Sequence, residues 1–409
     1  MYIDRTLERI VQEATGQFPV VLVTGPRQVG KTTLLRHLAG RESASRSYVS
    51  LDEFGPRQLA NEDPVLFFQH YPPPVLVDEI QYVPKLLRQI KVLVDREPNR
   101  YGGYWLSGPQ QFPLMAGISE SLAGRVAVLR LLGLSLLESR GLGLSESVPF
   151  LPGQRPGLKP PTIPVTAFFE HLLRGNFPRM AHPDAPTAEL YYGSYLQTYI
   201  ERDIRSLLHI AKLEAFERFL RLAAARVGQL LNLSDLARDA QIAVSTAREW
   251  LELLEATFQI YRLRPYYRNL SKRQIKTPKL YFLDTGLAAY LTGWKTPETA
   301  ASGAMAGQLF ENSVVSELVK SYWHRGRDAP LWFWRTKDKK EIDVILEEGG
   351  RLHPLEVKLT GSPTIAMAKH ILALRDSEPS IRDGTIVCLA EQSLPLRKGI
   401  TVLPASWIY

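Results

Sequence analysis

The chain of 409 residues contains a single cysteine, Cys388. One thiol cannot close an intramolecular disulfide, so a disulfide-stapled secreted scaffold is excluded and an intracellular setting is predicted. Long apolar runs are lacking too. None approaches the roughly 20 residues needed to span a bilayer, so no membrane partner is expected. Met1 to Arg9 mixes charged and apolar residues without a signal-peptide core, which predicts a soluble cytoplasmic protein. Acid falls short of base: 42 Asp and Glu stand against 50 Lys and Arg, a formal net charge of +8. That balance favours a polyanionic partner without naming one. With 45% hydrophobic and 22% charged residues the chain has enough apolar side chains for globular cores, and its length suits two to four domains.

What is present begins with Gly25-Pro26-Arg27-Gln28-Val29-Gly30-Lys31-Thr32, a complete G-x4-G-K-T phosphate loop. The apolar run Val20 to Val23 precedes it, and Thr33-Leu34-Leu35 opens a helix after it. In that strand–loop–helix setting the glycines let backbone N–H groups turn inward around phosphates. Lys31 would reach the β- and γ-phosphates of ATP, and the Thr32 hydroxyl would ligate Mg²⁺. A second element, Val75-Leu76-Val77-Asp78-Glu79, delivers two carboxylates at a strand end. Asp78 would hold Mg²⁺ and Glu79 would polarise the attacking water. The next strand, Tyr104 to Gly108, offers Ser107 as a γ-phosphate sensor, with Gln110 close behind; an ordinary strand-end turn is the alternative. Arg125, before the strand that includes Val128 to Leu132, is a candidate arginine finger for a neighbouring subunit's nucleotide, or else a structural arginine. Apolar strands alternating with helices around a phosphate loop imply a parallel sheet covered on both faces, an α/β P-loop domain of AAA type over residues 1–148.

Residues 149–164 carry six prolines in sixteen positions and read as a linker. Residues 165–225 form a helical lid region, with an amphipathic pattern over Leu190–Leu208 that includes Glu201 and Asp203. Residues 226–296 outline a winged helix-turn-helix. Ser234 would cap its first helix, Gln241 to Ala243 would turn, and the second helix would run from Ala247 to Ala256. Only Arg248 is a prominent base on that second helix. The stronger feature is Arg262, Arg264, Arg268, Lys272, Arg273, Lys276 and Lys279, a stretch without an acid. These cations are expected to neutralise DNA phosphates while Tyr261, Tyr266, Tyr267 and Tyr281 stack on bases. A solvated wing with core tyrosines, or a subunit interface, is the alternative.

The last segment, 297–409, carries a second chemical signature. Leu331–Arg335, Glu341–Leu346 and Leu352–Leu359 read as successive strands. Alternation puts Glu356 and Lys358 on one face, with Asp343 close by on the preceding strand. Glu311 borders the apolar stripe Phe310, Val314, Leu318, Tyr322 of a helix. Asp343, Glu356 and Lys358 with an acid on a preceding helix is the PD-(D/E)XK nuclease pattern. In it Asp343, Glu356 and Glu311 would ligate Mg²⁺, and Lys358 would orient water or offset developing charge.

The strings TGPRQVGKTTLL, VLVDEIQ, LSGPQQF, ESLAGRV, GNFP, YLQTYIERDI, RNLSKRQIKTPKLYFLDTGLAAYL, GQLFENSVVSEL, EIDVIL and LEVKL span nearly the whole chain. In their combination it resembles the prokaryotic AAA-type ATP-binding proteins with a C-terminal domain of unknown function. Pro109 departs from the Ser-Gly-Ser or Thr-Gly-Ser usual there. The resemblance implies a nucleotide-binding core with Lys31, Thr32, Asp78 and Glu79, a winged helix, and a nuclease-like end with Glu311, Asp343, Glu356 and Lys358. The leading expectation is a ring-forming ATPase, hexameric by class, that binds and remodels DNA and carries a metal-dependent nuclease module. Two alternatives stay open: a DNA-binding ATPase on an inert nuclease fold, and an ATP-controlled signalling switch whose winged helix contacts proteins.

Overall fold

The computed structural model describes every residue except 1, 43–44, 110–116, 119, 146–147, 154–162, 200–212, 268–275, 337, 378–379, 382 and 409. The described chain divides into two compact units. One comprises residues 1–148 with 256–258 and 322–328; the other comprises 149–255, 259–321 and 329–409. No helix among the described residues is long and apolar enough to cross a membrane.

The first unit is built on five parallel strands, β1 (Val20–Thr24), β2 (Ser47–Ser50), β3 (Val75–Asp78), β4 (Tyr104–Gly108) and β5 (Val126–Arg130). Their order is β2-β3-β4-β1-β5. Strands covered on both faces need continuous apolar runs rather than alternation, and Val20, Val21, Leu22 and Val23 are all 0% exposed. Burial of each such side chain stabilises the fold by about 1.5–3 kcal/mol. The helix Leu86–Arg96 packs Leu86, Leu87, Ile90 and Val94 into the same core as Leu22, Val77 and Leu106. That spacing keeps them on one helix face. Register does the rest: Val20 and Val75 both lie opposite Tyr104, so the carboxyl ends of β1, β3 and β4 come level.

A buried ion network ties this unit together. Glu138 is fully buried and accepts from the backbone N–H groups of Thr6 and Ser135, each at 2.8 Å. Arg5 Nε lies 3.3 Å and His324 Nδ1 3.2 Å from Glu138 Oε1. Burial opposes the charge on Glu138, but Arg5 and His324 outweigh it and hold the carboxyl well below the usual carboxylate range.

The second unit starts with helices, among them Val165–Arg174, Ala188–Tyr199 and Leu213–Ala224. Two of the family-like strings meet here. Asp284 caps the helix Thr285–Leu291 and also accepts from Asn176 N–H at 2.8 Å and from Tyr192 Oη at 2.8 Å. A Cβ on Gly175 would sit 1.8 Å from Tyr192 Oη, so that position admits only glycine. The two helices of the expected helix-turn-helix are Leu233–Ala240 and Val244–Ala256. Its first cap is Asn232, whose side chain accepts from Asp235 N–H at 3.1 Å, rather than Ser234. Gln241 takes a left-handed φ of 57° in the turn, and the second helix starts at Val244, three residues ahead of Ala247.

Eight strands complete the unit: β6 (Ile260–Pro265), β7 (Lys279–Phe282), β8 (Leu331–Arg335), β9 (Glu341–Glu348), β10 (Arg351–Val357), β11 (Gly384–Cys388), β12 (Leu394–Arg397) and β13 (Ile400–Pro404). They form one mixed sheet in the order β12-β13-β11-β10-β9-β8-β6-β7. The sheet runs straight across the boundary expected at 296/297. β6 pairs in parallel with β8, Arg264 opposite Trp332 and Pro265 opposite Phe333. The β6–β7 hairpin is therefore part of the C-terminal sheet, not a free wing, because its backbone edge is used by β8.

Candidate functional site

The phosphate loop leaves the end of β1 and enters the helix Lys31–Ala39. Gly25 has φ 154°, and a Cβ there would lie 1.9 Å from the Leu131 carbonyl oxygen. Gly30 takes φ 91° at the helix start. Neither position tolerates a side chain without moving backbone. Gln28 is exposed in the left-handed region with φ 63°, Arg27 is half-buried, and Pro26 and Val29 are buried. Arg5 Nη1 donates to the Val29 carbonyl at 2.8 Å, which ties the loop to the Glu138 network. Lys31 Nζ donates to the carbonyls of Gly25 (3.1 Å) and Pro26 (2.7 Å), curling over its own loop. Thr33 is exposed on the helix.

Thr32 Oγ1 donates to Asp78 Oδ1 at 2.8 Å. Ser107, fully buried on the strand between β1 and β3, donates to the same oxygen. A hydroxyl and a carboxylate at this separation form a hard-oxygen pair that fits Mg²⁺ beside bound phosphates. Glu79 follows with φ 58°, a left-handed conformation that costs a non-glycine residue about 1–3 kcal/mol. Its N–H is 3.4 Å from Ser107 Oγ, and its carboxylate accepts from Gln81 Nε2. The turn presents the carboxylate at the end of the sheet where β1 delivers the loop. Arg125 is part-exposed and paired with Asp95 at 2.6 Å. Gln110 lies outside the described residues.

The C-terminal signature condenses into one buried cluster within the second unit. Leu355 pairs with Val344 across β9 and β10, so Asp343 and Glu356 fall at the next position. Asp343 Oδ2 accepts from Val357 N–H at 2.8 Å and from Lys358 Nζ at 3.2 Å. Lys358 Nζ also lies 2.9 Å from Glu356 Oε1. Glu311, from the helix Ala306–Trp323, accepts from Tyr281 Oη and from Lys279 Nζ, the latter at 3.1 Å. Burial, then Asp343, pushes the Glu311 carboxyl up to about 7. Burial, then Asp343, pushes Glu356 up to about 8, against the pull of Lys358. Glu356 Oε2 is buried without a hydrogen-bond partner among the described residues. Ionising a carboxyl whose buried oxygen has no partner, beside a second carboxylate, costs free energy unless a cation meets it, so the cluster fits a divalent metal on Asp343 and Glu356.

Two of these residues correct the sequence reading. Lys279 was expected on a basic wing against DNA; its side chain is only 3% exposed, with Nζ 2.6 Å from Glu341 and 3.9 Å from Asp343. Tyr281 was expected to stack on bases and is fully buried. Both point to the interior because alternate positions of β7 face the Glu311 helix. Glu341, which also pairs with Arg335 at 2.6 Å, was missed altogether. The signal was available in Glu341-x-Asp343 and Lys279-x-Tyr281, since residues two apart on a strand share a face.

The remaining DNA candidates are divided. Arg248 and Lys276 are exposed, and Arg264 is half-buried. Arg262 is held by Glu255, which offsets its charge. Arg268, Lys272 and Arg273 lie outside the described residues, as do Glu201 and Asp203.

Three family models match the chain in succession. An AAA domain matches residues 17–139, a domain of unknown function (DUF8612) matches 165–298, and a second (DUF4143) matches 306–408. The uncharacterized protein Rv2008c of Mycobacterium tuberculosis is 30% identical over 398 residues, covering 97% of this chain and 82% of its own. The uncharacterized protein Mb2031c of Mycobacterium bovis matches to the same extent. The chain belongs to their family. It is an AAA-domain protein, and its first unit is a P-loop ATPase domain. Among solved structures it resembles the Walker-type ATPase PABY2304 of Pyrococcus abyssi, with 17% identity, 71% of this chain and 96% of that one covered, and a TM-score of 0.45. The Thermotoga maritima RuvB Holliday junction branch migration motor gives 15% identity, 64% and 90% coverage, and a TM-score of 0.32.

Proposed function

We propose that this AAA-domain protein assembles into a ring, hexameric by class, that uses ATP and Mg²⁺ to bind and remodel DNA. We further propose that its C-terminal cluster is a Mg²⁺-dependent nuclease centre of PD-(D/E)XK type. In the first unit Lys31 would leave the loop carbonyls for the β- and γ-phosphates, and Thr32 and Asp78 would hold the metal. Glu79 would take the proton of the attacking water, Ser107 would report the γ-phosphate through Asp78, and Arg125 would serve a neighbouring subunit.

One observation carries the nuclease reading: Asp343 and Glu356 from two strands, Lys358 just past the second, and Glu311 from a distant helix share one cluster in which Glu356 Oε2 has no hydrogen-bond partner among the described residues. A bound Mg²⁺ would supply Lewis acidity and a lowered water pKa. Asp343 and Glu356 would provide its oxygen ligands. Lys358, part-exposed, would orient the water or offset charge on the phosphate. The net charge of +8 and the exposed Arg248 and Lys276 favour a polyanionic substrate.

The test is incubation with labelled single-stranded, duplex and four-way-junction DNA, with and without ATP and Mg²⁺, beside Asp343→Ala. Cleavage that disappears in the variant supports the nuclease centre. Binding or strand movement without cleavage replaces it with an inert platform. That second reading is favoured by one feature, the compensation of the carboxylates by Lys279 and Lys358. No binding to any substrate leaves the ATP-controlled switch.

A further inference from the structure

The carboxylate cluster contains two ammonium groups of different character. Lys358 is 36% exposed at the side chain and sits past the end of β10, where it can swing aside. Lys279 is 3% exposed and enclosed by Glu311, Glu341 and Asp343, with Nζ 5.8 Å from the centre of the Phe333 ring. It has nowhere to go. Asp343 lies between them: Oδ2 receives Lys358 at 3.2 Å, and Oδ1 lies 3.9 Å from Lys279.

That arrangement has the outline of a two-metal site with one position already taken. Two-metal centres for phosphoryl chemistry hold their ions about 3.5–4 Å apart with carboxylates clamping both. Here one half comprises Asp343 Oδ2 and Glu356 with its orphaned oxygen. The other comprises Glu311, Glu341 and Asp343 Oδ1, and its centre is the Lys279 nitrogen. With every group ionised, four carboxylates stand against Lys279, Lys358 and the Arg335 that pairs with Glu341, which leaves one uncompensated negative charge, room for one divalent ion and no more. Glu311 is also committed elsewhere, accepting from both Tyr281 and Lys279 through Oε1.

We propose that Lys279 is a positioning residue standing in the place of a second metal: it limits the centre to one divalent cation on Asp343 and Glu356, and keeps Glu311 and Glu341 out of the ligand set. The inference rests on the metal-centre reading above. It departs from the sequence expectation that Glu311 is a ligand, and makes it the anchor of the internal cation instead.

The experiment is Mn²⁺ binding to the nucleotide-free full chain, read as stoichiometry by calorimetry and as spin coupling between ions by electron paramagnetic resonance. The proteins are the wild type, Asp343→Ala, Lys279→Met and Glu311→Gln, each checked for folding by circular dichroism. The wild type is expected to bind one Mn²⁺ that Asp343→Ala abolishes. Lys279→Met should bind two, spin-coupled, and Glu311→Gln should keep one. Two ions in the wild type, one ion in folded Lys279→Met, or loss of the ion in Glu311→Gln each overturns the proposal. Should Lys279→Met fail to fold, Lys279→Gln takes its place: two coupled ions support the proposal and one overturns it. A wild type with no Mn²⁺ that Asp343→Ala removes would instead bring down the metal centre itself.

Discussion

The two candidate sites of this protein are built in opposite ways. The phosphate loop is one continuous segment, Gly25 to Thr32, whose course is set by the conformations of Gly25 and Gly30. The carboxylate cluster is made of side chains drawn from β7, β9, β10, the residue after β10, and the helix Ala306–Trp323. The first holds its lysine on neutral carbonyls, ready to be exchanged for phosphate. The second confines charge among charges, so its balance depends on every member. A backbone site survives many surrounding substitutions, whereas a convergent one is sensitive at each contributor.

The largest test of the contrast lies in the loop. Lys31→Ala is expected to abolish ATP turnover with the protein still folded, because the substitution removes the side chain that donates to the Gly25 and Pro26 carbonyls and leaves the apolar core intact. A variant retaining turnover within tenfold, measured by phosphate release, would remove the loop from the mechanism. Arg125→Ala should reduce turnover by ~10³–10⁵ while sparing nucleotide binding. Equal loss of binding, measured by fluorescent-nucleotide titration, would make Arg125 structural. Loss of its exposed pair with Asp95 should itself cost stability less than about 1 kcal/mol.

The buried networks of the two units should respond to pH with opposite signs. Glu138 has a depressed folded pKa, so its contribution is present above the unfolded carboxylate range and is lost as pH falls through the folded value. Glu138→Gln leaves Arg5 uncompensated and should cost about 3–5 kcal/mol near neutrality, measured by denaturant unfolding, with the difference shrinking in acid. Glu356 has a raised folded pKa, so its contribution is complete below the unfolded value and is lost as pH rises towards about 8. In metal-free protein Glu356→Gln should therefore be the more stable form at pH 9 and nearly equal to the wild type at pH 5. Thermal melts with the reverse order would show that the cluster does not carry the strain assigned to Glu356. The smallest effect belongs to the surface. Lys276→Ala should weaken DNA binding a few-fold and lower the salt slope by roughly one ion; an unchanged slope would take Lys276 out of the interface.

Some of this was legible along the chain. The apolar runs Val20–Val23 and Val75–Val77 are strands because a doubly covered sheet demands them, and their ends carry Thr32's loop and Asp78. Asp343, Glu356 and Lys358 were readable too, since alternation on adjacent strands places them together. Lys279 was misread because a basic stretch without acids looks the same whether it is solvated or folded against carboxylates far away in sequence. Glu341 was overlooked for the same reason: its partner is on β7, and nothing near it in sequence names that strand.

The phosphate loop, the strand that feeds it and the acid pair at the end of β3 are written locally in the chain, in glycine conformation and in the period of apolar residues. The fate of the second site was set at long range. Pairing of β6 with β8 folds the expected wing into the C-terminal sheet. That pairing carries β7 against the Glu311 helix and turns a surface cation into a buried one. Whether a lysine meets solvent, nucleic acid or three carboxylates depends on long-range strand pairing, which the local pattern of residues does not encode.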